Sequence, residues 1–135
     1  MLEKLEKALE KCGLVEEIEE EIEVENVKDA FRIFATYFDI RPFLEALRKL
    51  ELDTEGYREI FEELDVDTCE AEFVIFFLSD IYDELEDKKR IEEILRGLKP
   101  INKALAGVAL ALLLYKATGS KEGVEKALDE LIEKC

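Results

Sequence analysis

Residues 104–115 read Ala-Leu-Ala-Gly-Val-Ala-Leu-Ala-Leu-Leu-Leu-Tyr, twelve positions without one charged side chain. A half-buried strand would alternate apolar with polar residues, and a surface helix would keep one polar face. This run does neither. It also falls short of the roughly 20 residues that a membrane-spanning helix needs. What remains is a helix at about 101–117, buried on every side in the middle of a helical domain. Gly107 and Ala111 lie one turn apart on it and allow another helix to approach closely.

Amphipathic segments surround this run on both sides. Beyond it, Thr118 and Gly119 close the helix, and Ser120 opens a last one with a seam of Val124, Ala127, Leu128, Leu131, Ile132 and Cys135. Before it, Leu2, Leu5, Leu9 and Cys12 form one stripe, which Gly13 ends. Val15, Ile18 and Ile22, set among seven glutamates, predict a helix over 15–23. Asn26 caps the next, with Val27, Ala30, Phe31, Phe34, Ala35 and Phe38 on its apolar face. Pro42 fits the first turn of another, carrying Phe43, Leu44, Leu47 and Leu50.

Asp53 or Thr54 then caps a helix through Tyr57, Ile60, Phe61 and Leu64. Asp67 or Thr68 caps the dense run from Phe73 to Leu78, which continues through Ile81, Tyr82 and Leu85. Residues 88–97 continue as a short basic helix or a bent extension, ended by Gly97 and Pro100. No window alternates with period two, so no sheet is expected. The fold class is all-α: a single domain over residues 1–135, an irregular bundle of seven to eight short helices around the buried apolar one. The last two helices resemble a tetratricopeptide hairpin over about 30 residues, but no second copy follows at the 34-residue period, and no repeat is assigned.

With 135 residues, 48% hydrophobic and 40% charged, the chain is rich enough in apolar groups to exclude low-complexity disorder. It contains no histidine, which removes catalytic triads, imidazole acid–base chemistry and histidine metal sites from within this chain. Its glycines never cluster as a phosphate-binding loop. Cys12, Cys69 and Cys135 are too far apart in sequence for a zinc site. Leu2–Lys11 alternates apolar with charged residues instead of running apolar as a secretory signal does, which predicts a cytoplasmic protein with reduced thiols. The absence of glutamine, the single methionine and the abundance of glutamate and lysine match a thermophile's composition, however, and such organisms do form intracellular disulfides. A Cys12–Cys135 bond, between the ends of the terminal helices, is therefore left open.

The net charge of −16 argues against direct binding of nucleic acid or of an anionic membrane. Most of it lies in residues 51–87, which alone carry −14. Residues 88–103 carry +4, through Lys88, Lys89, Arg90, Arg96, Lys99 and Lys103, and are read as pairing with the acids at 83–87 and as favourable charge at a helix C-terminus rather than as a site for phosphate or an acidic partner. Two functions fit this asymmetry. The first is a non-catalytic interaction or adaptor module, in which Glu59, Glu62, Glu63, Asp65, Asp80, Asp83 and Asp87 dock a basic protein partner. On an ideal helix Asp80, Asp83 and Asp87 share a face with Phe76; alternatively that ring, or part of the apolar helix at 101–117, is exposed in the monomer and covered in a homodimer.

The second is a phosphohydrolase dependent on Mg²⁺ or Mn²⁺, with Glu16, Glu20, Glu23, Asp80, Asp83 and Asp87 as an all-oxygen ligand set. Glu17-x-x-Glu20 and Glu84-x-x-Asp87 match in letters the metal-binding pairs of the all-helical nucleotide pyrophosphatases, which the chain resembles in this respect. The resemblance implies those cofactors and nucleotide substrates. More than sixty residues and several helices separate the two pairs here, a departure from that pattern. An acidic face that is merely solvated accounts for the same residues, and the adaptor is the first choice.

Overall fold

A computed structural model describes residues 1–52 and 70–135. Among the described residues there are seven helices and no strand. They are α1 (Leu2–Lys11), α2 (Val27–Tyr37), α3 (Arg41–Lys49), α4 (Glu70–Glu84), α5 (Lys89–Gly97), α6 (Ile101–Thr118) and α7 (Lys121–Lys134). The expected helix through Tyr57–Leu64 and the caps at Asp53, Thr54, Asp67 and Thr68 lie outside the described residues.

Helix α6 is the axle of the bundle. Every residue from Ala104 to Leu114 is buried, and α1, α2, α4, α5 and α7 all pack against it. The apolar run thus finds its cover within the chain. At Gly107 a Cβ would sit 2.6 Å from Leu98 Cδ1 and 3.1 Å from Leu5 Cδ2. The missing side chain is therefore what lets α1 and the end of α5 close on the axle.

Local signals set the helix ends. Gly13, with φ of 65°, ends α1: its N–H donates to Glu10, and the Leu14 N–H donates to Leu9, which turns buried Leu14 back onto the helix. The Asn26 side chain accepts the Asp29 N–H at 2.8 Å and caps α2. Pro42 stands in the first turn of α3. Gly119, with φ of 74°, closes α6, and the Ser120 hydroxyl accepts the Gly123 N–H at 3.0 Å to open α7.

Residues 14–25 correct the expectation of a helix over 15–23. They form an irregular strap, with Val15, Ile18, Ile22 and Val24 half-buried and the glutamates exposed. A helix over 14–25 would place seven glutamate pairs at i,i+3 or i,i+4 with no cation between them. At ~0.2–0.5 kcal/mol per like-charged pair, that opposes a helix of three turns by ~1.5–3.5 kcal/mol, and so short a helix is marginal even without the penalty. Tertiary bonds hold the strap instead. Buried Asn102 donates its amide to the Glu16 carbonyl at 2.6 Å, and the Tyr37 hydroxyl donates to Glu20 at 2.5 Å.

The two ends of the described chain meet. Helices α1 and α7 lie side by side, with Lys4 paired to Asp129 at 3.1 Å, and a disulfide joins Cys12 to Cys135. The expectation of reduced thiols is overturned for this pair, because the packing of α1 on α7 brings their Cα atoms to 5.2 Å. Lys134 donates to the Lys49 carbonyl at 2.8 Å, which places a cation at the negative end of α3.

Candidate interaction surface on helix α4

Helix α4 carries Glu70, Glu72, Asp80, Asp83 and Glu84, and no lysine or arginine. Val74, Leu78 and Ile81 fix its orientation by burying one face against α2 and α6. The opposite face presents Glu72, Phe76, Asp80 and Asp83 to solvent, and the Phe76 ring is 69% exposed. Phe73 and Phe77 flank it, half-buried, with their rings stacked 6.4 Å apart and the Lys116 ammonium 5.7 Å above Phe77.

The acids on this face have different fates. Asp83 pairs with Lys28 of α2 at 3.5 Å. No described cation pairs with Glu72 or Asp80, and their charges face solvent uncompensated. Asp87 departs from the helical-face expectation, because α4 ends at Glu84 and leaves it in the connection to α5, paired with Arg90 at 3.5 Å. The crowd of Asp83, Glu84, Glu86 and Asp87 sits at the negative end of the helix dipole, where further acidic turns are disfavoured. Glu59, Glu62, Glu63 and Asp65 lie outside the described residues. Glu72 was overlooked in the sequence, although its place four residues before Phe76 puts it on the same stripe.

The proposed carboxylate ligand set does not assemble. Glu16, Glu20 and Glu23 are exposed along the strap, and among the described residues no group of three acids or cysteines gathers closely enough to hold a metal ion. Glu20 is bonded to Tyr37, nine residues beyond the Lys28 that reaches Asp83. At 1.5 Å per residue, about 14 Å of helix axis separates the two groups. The helix on which the resemblance to the nucleotide pyrophosphatases was drawn is also absent.

The basic stretch over 88–103 is partly spent inside the molecule, but among the described residues only Arg90 pairs with one of the expected acids at 83–87. Arg90 pairs with Asp87 and Glu93, Lys88 lies over the Tyr82 ring at 5.1 Å, and Lys103 donates to Glu6 and Glu10, both at 2.9 Å. Those two bonds hold the Lys103 ammonium above its ordinary pKa. A groove of about 620 Å³ opens nearby, between residues 24–28, Tyr82, Arg96 and Ile101. Its size suits a small molecule. Its charges, Glu25 and Glu92 with Lys28 and Arg96, cancel, and burial, then Glu92 and Asp83, push the Tyr82 hydroxyl above its usual range. Nothing in its lining selects a ligand class.

No family model, curated protein or solved structure matches the chain.

Proposed function

We propose that this protein is a non-catalytic interaction module that docks a basic protein partner on the acidic outer face of α4. The observation that carries the reading is that face itself: exposed Glu72 and Asp80 without described cations, on a helix of five acids and no base. Such a field steers a cationic partner and repels nucleic acid and anionic lipid. We assign the role to the cytoplasm of a thermophile-like cell, where the composition is at home and an intramolecular disulfide is compatible with the compartment.

The test uses a labelled oligolysine peptide and fluorescence anisotropy at low and high NaCl. Binding should weaken steeply with salt, and the triple variant Glu72→Gln, Asp80→Asn, Asp83→Asn should lose most of it. A control that neutralises Glu125, Glu130 and Glu133 on α7 should retain it. Equal losses from the two triple variants would mean that only the overall charge acts, and the assignment to α4 would fall.

A further inference from the structure

We infer that the partner element docked on α4 is an amphipathic basic helix, with an apolar side chain seated on Phe76 and a lysine or arginine one turn to each side of it. This rests on the docking function proposed above and specifies its partner. Phe76 stands near the middle of the outward face, with Glu72 four residues before it and Asp80 four residues after. At 1.5 Å per residue each acid lies ~6 Å along the axis from the ring. An apolar anchor between two separated anions is therefore the pattern to be matched. A large exposed aromatic inside a ring of charge is the composition of an interface centre and its rim.

Chemistry selects the occupant. A helix repeats its side chains on one face every four residues, again ~6 Å, so a basic residue, three spacers, an apolar residue, three spacers and a second basic residue fall opposite Glu72, Phe76 and Asp80. An extended peptide could place side chains at a similar spacing. However, an extended strand gains its main-chain hydrogen bonds by adding to a sheet edge, and no strand exists among the described residues. A helix satisfies its own backbone and packs its ridges into the grooves of α4. A second copy of this chain is disfavoured by charge. Two α4 faces brought together would set acids against acids, within molecules that each carry −16.

The probe is a fluorescein-labelled helical peptide of about 18 residues with the Lys-x-x-x-Leu-x-x-x-Lys seam. A scrambled peptide of the same composition and charge is the comparison. Both are titrated with the full chain at about 50 mM NaCl. The seam peptide should bind at least about tenfold tighter than the scrambled one, and Phe76→Ala should erase that preference while both still bind through charge. Phe76→Gln, which keeps a side chain of moderate length, should behave likewise, and neither variant should lower the Tm.

Equal binding of the two peptides to the wild type would overturn the helix-and-anchor inference but leave acidic docking standing. No binding of either would overturn both. A Tm lowered by both Phe76 variants would mean that the ring is packed within the chain. Sedimentation showing a wild-type dimer that Phe76→Ala dissociates would assign the face to a second copy. Either of these last results also overturns the inference.

Discussion

Replacing Cys135 by serine opens the covalent link between the ends of the bundle and removes little else, because residue 135 is exposed. The bond spans 123 residues of sequence. Closing so long a loop in the unfolded chain amounts to about 5 kcal/mol in the chain-entropy account, and native disulfides contribute ~2–5 kcal/mol when measured. For a domain of this size each kcal/mol shifts Tm by about 3.5 °C, so Cys135→Ser should melt ~7–18 °C below the oxidised wild type. Circular dichroism melts of the wild type, of the variant, and of the wild type under a phosphine reductant measure it, and the last two should coincide. Because the constraint acts on the unfolded chain, the urea m-value should rise in the variant while the native spectrum stays the same. Thiol titration of the denatured, unreduced wild type should find one free cysteine of the three. A Tm difference under about 4 °C, or three titratable thiols, would refute the reasoning.

Other parts of the structure make their own predictions. Asn102→Ala removes the donor to the Glu16 carbonyl and should cost ~1–3 kcal/mol, with hydrogen exchange accelerating over residues 14–25. Gly107→Val should lower Tm by at least about 4 °C, because even its Cβ would meet Leu98 at 2.6 Å; an unchanged melt would show that α1 can back away. Asn26→Ala should destabilise by ~1 kcal/mol through loss of the α2 cap, read by urea titration. Lys103 has its pKa raised, chiefly by the hydrogen bond to Glu10 and then by that to Glu6, so its stabilising contribution is complete below the unfolded lysine value and is lost as pH climbs through the higher folded one. Alkaline melts should accordingly show the wild-type advantage over Lys103→Met shrinking above pH 10.5 and constant below it.

Much of the fold could be read from punctuation in the sequence. Gly13, Asn26, Pro42, Gly97, Gly119 and Ser120 each stand at or beside the helix boundary they foretell, and the apolar run at 104–115 declares the axle. The strap departs from the helix its hydrophobic period predicts because period and charge oppose one another there. Val15, Ile18 and Ile22 keep helical steps, but the glutamates between them make that helix self-repelling. Asp87 was misplaced for a related reason, since acids collect where the dipole of α4 is already negative. The disulfide could not be read, because its pairing depends on α1 lying beside α7, a contact between the two ends of the chain. At the candidate site, the acidity of α4 and the position of Phe76 were visible. Which acids lack a counter-charge was not, because Lys28 is close to Asp83 only after α2 packs on α4.

The position of the axle near the end of the sequence bears on how the chain is made. Five helices need α6 to cover their apolar faces, and four of them precede it in the sequence, so they are synthesised first. At about 5–20 residues per second, Phe31 and Phe34 of α2 are made seconds before the α6 that packs on that helix. The first 87 residues carry a net charge of −19, more than the whole chain retains. Mutual repulsion among unfinished chains on one message keeps them apart during that interval. The acidity that marks α4 thus belongs to a charge excess that keeps unfinished chains apart until the core is complete.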